Sequence, residues 1–171
     1  MSIRPLQTGD ESQVWQWLAA YLAEHQGWWA QAYGREPSAD LSELVEGDWH
    51  ELEQSSHSNK HLVAVLELDG LDGRGQAAGI VRAGLRADRF QGFQIGVLQW
   101  IYVDPARRGQ GVADELMRHA LAWMDVQQVS GKEVFVTALN PAAVALYRRH
   151  GFEVADYRML ARGGSADPAK L

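Results

Sequence analysis

Residues 100–113 limit what this chain can fold into more than any other segment. Trp100-Ile101-Tyr102-Val103 is a string of β-formers. Asp104-Pro105 ends it, because proline fixes its own φ and has no N–H to give to a ladder. A basic, glycine-bearing loop follows, Ala106-Arg107-Arg108-Gly109-Gln110-Gly111. Ala113, Leu116, Met117, Ala120 and Met124 then recur at helical spacing, which predicts a helix over 110–126. The first N–H groups of such a helix have no partner within it, and its dipole favours an anion there. Glycines let backbone come close to a phosphate, and arginines add charge-assisted contacts. The segment therefore reads either as a phosphate site or as a tight turn carrying two exposed arginines. It is not a P-loop, which needs Gly-Lys-Ser/Thr. It is not a dinucleotide fingerprint either, because Asp114 stands where the third glycine belongs.

The flanking sequence supplies the frame. Residues 2–6 suit a short strand, with Pro5 placing it at an edge or a strand end. Val14, Trp17, Leu18, Tyr21 and Leu22 mark a helix over 10–26 that Gly27 should stop. A second helix is expected over 40–54, with Asp40-x-x-Glu43 as a variant capping box. Strands follow at 61–68, 77–85 and 95–103; Gly73-x-Gly75-x-x-x-Gly79 reads as the hairpin turn joining the first two. After the helix over 110–126 come a strand at 133–139, a helix over 141–150 and a closing strand at 152–161. Asn140 caps that last helix, Pro141 is its first residue and Gly151 stops it. The expected fold class is α/β (α+β mixed): a central mixed, mostly antiparallel, twisted sheet flanked by helices.

Charge and composition narrow the function. The net charge of −6 argues against nucleic-acid or anionic-membrane partners, which need excess positive surface. The longest apolar run, residues 17–23, has seven members, whereas a span needs about 20. The first residues lack the apolar core of a secretory signal, so a cytoplasmic protein is expected. With no cysteine, thiolate chemistry and cysteine-held metals are absent. His57 and His61 are four apart, but Ser58-Asn59 disfavours a helix between them and no third ligand is evident, so no metal is expected.

Two motifs carry a family resemblance. Arg108-Gly109-Gln110-Gly111-Val112-Ala113 resembles the Arg/Gln-x-x-Gly-x-Gly/Ala signature of the GNAT superfamily of acyl-CoA-dependent N-acetyltransferases, and Ile101-Tyr102-Val103-Asp104-Pro105 resembles its fourth strand. About 30 residues on, the run from Asn140-Pro141 to Leu146-Tyr147-Arg148-Arg149-His150-Gly151-Phe152 resembles its Asn…Leu-Tyr-x-x-x-Gly-Phe segment. The resemblance implies acetyl-CoA as co-substrate, with the amides of Gly109, Gln110, Gly111, Val112 and Ala113 around the diphosphate. It implies that Ile101, Tyr102 and Val103 pair with the pantetheine arm like an added strand. Asn140 would bond the pantetheine amide, and Arg107, Arg108 or Arg148 would meet the outer phosphates. One domain over 1–162 is expected, with a variable acceptor-side region (1–60), an acetyl-CoA-binding core (61–162) and a mobile tail (163–171).

Acyl transfer to an amine poses two proton problems: an ammonium with a pKa near ~10 must lose a proton, and the departing thiolate should gain one. The resemblance implies Tyr147 as general acid and a β-strand N–H, assigned to Val103, as oxyanion donor. Many relatives carry a carboxylate on the fourth strand. Here the strand offers only Gln99, so the base must be water relayed from carbonyls or a carboxylate such as Glu24 or Glu67. Trp28, Trp29 and Tyr33, placed beyond Gly27, read either as packing of the variable helices or as a wall for a sugar ring or cation. Residues 38–58 hold Asp40, Glu43, Glu46, Asp48, Glu51 and Glu53 and no Lys or Arg, which reads as a solvated helix face or as a funnel for a polycation. Residues 82–123 are loosely similar to aminoglycoside 6′-N-acetyltransferases. The expected function is therefore acetyl transfer to a primary amine of a small cationic molecule, an aminoglycoside or aminocyclitol antibiotic among the candidates, and with it antibiotic resistance. The alternatives are acetylation of a protein N-terminus or lysine, and a non-catalytic acyl-CoA-binding module. The oligomeric state stays open, with a homodimer among the options.

Overall fold

The computed structural model describes residues 1–69 and 75–160. In β2 (His61–Asp69), Val63 and Val65 turn to one side and Ala64 and Leu66 to the other, and all four are buried. A strand apolar on both faces must be covered on both faces, and helices do this on each side of a single sheet. The sheet runs in chain order through β1 (Ser2–Pro5), β2, β3 (Gly75–Ala87), β4 (Gln94–Val103) and β5 (Gly131–Val134). Neighbours from β1 to β4 are antiparallel, and β4 pairs with β5 in parallel. The mixed, mostly antiparallel sheet expected from the sequence is thus the one found. Pro5 lies at the end of the edge strand, where a missing N–H costs nothing. Asp69 pairs with Gly75, as a hairpin requires; the turn residues between them lie outside the described residues.

Two helices cover one face. In α1 (Glu11–Tyr33) Val14, Trp17 and Leu18 are buried, and in α2 (Leu41–Ser56) Val45 and Leu52; they pack on Val63, Val65, Ile80, Trp100 and Tyr102. The other face holds α3 (Val112–Val126) and α4 (Pro141–Arg149), whose Leu116, Met117, Met124, Leu146 and Tyr147 close over Leu66, Val81, Ala83 and Leu98. Asp40 caps α2 through Oδ1, which accepts from the amides of Ser42 (2.8 Å) and Glu43 (3.1 Å). Among the described residues no helix is long and apolar enough to cross a membrane.

Three sequence expectations are corrected. The first helix does not stop at Gly27 but continues to Tyr33, ending at Gly34, whose φ of 67° lets its N–H reach the carbonyl of Ala30 at 2.8 Å. An interior glycine costs a helix only about 1 kcal/mol relative to alanine, and packing of the preceding turns outweighs that. The fifth strand covers Gly131–Val134 rather than 133–139, and Phe135 is 82% exposed. Its ladder ends at Leu98, next to a bulge in β4, and the added bend and twist carry the two chains apart. Residues 152–160 form no strand, and Val154, Tyr157 and Met159 are exposed. Apolar alternation alone does not make a strand, which is held only where a neighbouring edge pairs with it. Ala161 and the expected tail, 163–171, lie outside the described residues.

Candidate active site

The loop between β4 and α3 has the backbone the sequence anticipates. Asp104 opens a 3-10 turn at Pro105–Arg107, its Oδ1 accepting from the Ala106 amide at 2.9 Å. Its other oxygen accepts from Trp17 Nε1 at 3.0 Å, which ties the loop to α1. Gly109 and Gly111 have φ of 77° and 79°, a left-handed geometry that costs any L-residue. A Cβ at either position would touch nothing within 4 Å, so backbone conformation and not crowding calls for glycine here. Gly111 is the N-cap of α3 and supplies no side-chain acceptor to the first turn. The amides of the first turn are therefore open to an anion, which the helix dipole favours. Arg107 donates to Gln76 on β3, and the Arg108 guanidinium lies 6.0 Å from the Tyr102 ring centroid.

The strand leading into this loop has a free edge. β5 pairs with β4 only over Ile95 to Leu98. At the bulge, Ala83 pairs with Leu98 and Arg82 with Trp100, leaving Gln99 as the extra residue. The Asp104 amide donates to Ala78 of β3 at 2.9 Å. By strand alternation the N–H groups of Tyr102 and Trp100 also face β3, while those of Val103 and Ile101 face the open edge. Beyond β5 this edge has unpaired donors and acceptors, room for an extended chain with amide groups of its own.

On the face of the sheet that α3 covers, α4 joins the cluster on which Ile101 and Val103 pack. Asn140 caps α4, Oδ1 accepting from the Ala143 amide at 3.0 Å, which leaves its NH₂ to donate elsewhere. His150 Nε2 lies 2.9 Å from Asp114 Oδ1, and Arg149 reaches the same carboxylate, so the end of α4 is tied to the start of α3. Tyr147 faces inward, 9% exposed, with its ring edge-on to Phe152 at 6.1 Å. Burial, with a smaller contribution from Tyr21, pushes its phenol up to about 12, so it stays protonated throughout the neutral range. Arg148 is exposed.

Tyr21 of α1 adds to the effect of burial on the Tyr147 phenol. The Tyr21 ring lies 5.7 Å from that of Trp100 and 4.0 Å from that of His25, which in turn meets Trp28 at 4.7 Å. Trp29 and Tyr33 point elsewhere: they contact each other at 5.5 Å, and Arg158 sits 4.8 Å over the Trp29 ring. Because α1 runs through Gly27, adjacent Trp28 and Trp29 diverge, and the wall expected from Trp28, Trp29 and Tyr33 is divided between two places. Gln99 is exposed beside the bulge. Of the proposed bases, Glu67 is held by Arg4 Nε at 2.8 Å and lies against Gly75 at the start of β3, and Glu24 is exposed on α1.

The expected site residues omit one group. Arg82 Nη2 donates to Glu51 Oε1 at 2.8 Å, joining β3 to α2. Asp48, half-buried, forms no ion pair among the described residues; burial and then Glu51 raise its carboxyl above the usual range, against Arg82 and His25. His61 begins β2 beside them. Arg82 carried a readable signal: a lone charge inside the apolar run of β3 has to find a buried partner.

Comparison with known proteins agrees with this geometry. The acetyltransferase (GNAT) family model matches residues 13–152. No curated protein sequence matches the chain. Similar solved structures include a transcriptional regulator from Bacillus halodurans C-125, with TM-score 0.69 and 16% identity, covering 95% of this chain and 99% of that one. Aminoglycoside 6′-N-acetyltransferase AAC(6′)-Ig from Acinetobacter haemolyticus has TM-score 0.64 and 22% identity over 95% of this chain and 98% of its own. Aminoglycoside N-acetyltransferase AAC(6′)-Iy, solved with CoA, has TM-score 0.62 and 18% identity over 95% and 98%. With most of its length matched to the family model and a phosphate-ready loop feeding an open strand edge, this chain belongs to the GNAT family of acetyltransferases, enzymes whose acyl donor is acetyl-CoA.

Proposed function

We propose that the chain transfers the acetyl group of acetyl-CoA to a primary amine of a small cationic acceptor of the aminoglycoside or aminocyclitol kind. One observation carries the reading: the open edge of β4 runs from the left-handed glycines of the loop to the bulge at Gln99, and Tyr147 of α4 belongs to the cluster on which Ile101 and Val103 of that edge pack. A diphosphate on the amides of 109–113 sends the pantetheine arm back along that edge. Its amides meet Val103 first and Ile101 next, and Asn140 donates from the other side. Arg107, Arg108 and Arg148 remain for the outer phosphates. The thioester then reaches the bulge end. In this reading the oxyanion lies nearer the Ile101 N–H than that of Val103, the donor the family resemblance implies.

The amine attacks the thioester carbon, the C–N bond forms, and the C–S bond breaks as the tetrahedral adduct collapses. The leaving sulfur needs a proton or a strong donor. Tyr147, kept neutral by burial, is the donor within a dry site, where the thiolate is also more basic than in water. Acceptor class rests on charge and aromatic surface. Asp48 without an ion partner, Glu51, and the rings of Tyr21, Trp28 and Trp100 favour a cation over an anion. Two structural neighbours bear aminoglycoside acetyltransferase names, which supports the same class.

The test is release of free thiol from acetyl-CoA with a panel of amines. Turnover with aminoglycosides, and raised resistance in cells expressing the chain, are expected. Turnover only with peptides would replace the acceptor class. CoA binding without turnover on any amine would leave a binding module.

A further inference from the structure

The open question at this site is what removes the proton from the acceptor's ammonium. Gln99 cannot, and the described carboxylates at the acceptor side lie on helices rather than on the sheet floor. A different group stands on that floor. His61 of β2 pairs directly with Gly84 of β3, and Gly84 carries no side chain. A Cβ at position 84 would lie 2.8 Å from His61 Cδ2, 3.1 Å from His61 Nε2 and 3.0 Å from Gln99 Oε1. The imidazole and the bulge amide therefore converge over one glycine from opposite sides, at the end of the open β4 edge where the thioester arrives.

The surroundings are unusual for a structural histidine. Among the described residues four buried side-chain nitrogens lack a hydrogen-bond partner. Three of them, His61 Nδ1, Arg82 Nε and Trp100 Nε1, belong to neighbouring positions on β2, β3 and β4. Packed interiors pair such atoms almost always, and clustered exceptions call for an explanation such as a catalytic role or a bound group. The charged groups acting on His61 are Arg82 from β3 and Glu51 from α2; Gln99 from β4 is neutral. Burial, then Arg82, hold its pKa below the usual value against the weaker pull of Glu51, so the ring is neutral at pH 7 and open to a proton.

We propose that His61 is the general base of this acetyltransferase, taking the proton from the acceptor ammonium at the β4 bulge; this rests on the function proposed above. Proton uptake falls to Nε2, since Nδ1 is sealed. The ammonium gives one proton to His61 and its lone pair forms the C–N bond. The adduct nitrogen gives its second proton to water as the C–S bond breaks, Tyr147 supplies one to the sulfur, and the tyrosinate takes its replacement from that water. His61 releases its own proton to solvent. The net products are the amide, CoA thiol and one proton.

The experiment compares wild type, His61→Gln, His61→Ala and Asp48→Asn with acetyl-CoA and whichever amine the wild type acetylates. Calorimetry with CoA checks that each variant is folded. The wild type should lose kcat/KM as pH falls through a limb below pH ~6.5, the ordinary histidine value, because the base must be neutral. His61→Gln should lower kcat/KM about 100-fold and remove that limb, with CoA affinity unchanged. Added imidazole should restore part of the rate of His61→Ala and none of that of His61→Gln. A limb and rate preserved in His61→Gln, or a limb that disappears only in Asp48→Asn, would overturn the assignment while leaving acetyl transfer intact. A wild type that binds CoA but acetylates no amine would remove both.

Discussion

Replacing Tyr147 with Phe deletes one oxygen from a side chain whose ring is already packed against Phe152. The variant should fold and bind CoA within about threefold of wild type, while kcat falls at least 100-fold, the usual scale for a lost general acid. Steady-state kinetics beside calorimetry reads both. Because burial holds the phenol near 12, its own titration should cause no fall in rate at any pH below about 11. Gly111→Ala tests backbone rather than side chain. With φ of 79° and open space around the Cβ, the substitution should cost about 1–2 kcal/mol in conformation alone and weaken CoA further by turning the loop amides. Denaturant titration separates the two effects. Both proposed roles could be assigned from sequence, because each residue sits in a motif that resembles the family's own. His61 was legible only as half of an unpromising metal pair; its meaning comes from Gly84, a partner that no local spacing reveals.

The elements divide the work between anchoring and admitting. α3 is the anchor. Leu116, Met117, Ala120 and Met124 are fully buried, so the helix whose N-terminus is proposed to hold the diphosphate is firmly anchored. Leu116→Ala should destabilise the protein by about 2–5 kcal/mol in guanidinium titration, yet leave CoA affinity nearly unchanged while the fold persists. The loop and its helix were readable from sequence because their signals are local: proline, glycine and apolar spacing. The extent of α1 was not, since Gly27 is a weak stop once Trp17 and Leu18 bury the turns before it. Nor was the end of β5, which depends on a bulge in a different strand. That same bulge lies where the β4 edge becomes free, the edge proposed above for the cofactor arm, so the feature hidden from local pattern is central to the proposal.

At the scale of the molecule, the far side of the sheet has its own pH response. Asp10 is 6% exposed. Burial pushes its carboxyl up, but two hydrogen bonds from Arg4 (2.7 and 2.8 Å) and one from the Gln7 amide outweigh this and hold it below the usual range. Its contribution to stability is thus complete above the unfolded value near ~3.9 and is lost as pH falls through the folded value. Arg4→Met should cost about 3 kcal/mol at pH 7 by stranding the buried carboxylate, and should flatten the acid side of the stability profile. Acetyl transfer at neutral pH needs the opposite end of the sheet, where the donor must be gripped before any chemistry begins. The most direct measurement is parallel calorimetric titration with CoA and with pantetheine, which has the arm but no diphosphate. CoA should bind at least 100-fold more tightly, with that advantage much reduced in Gly111→Ala. Equal affinities, or no heat from CoA at all, would contradict a diphosphate grip by the amides of residues 109–113.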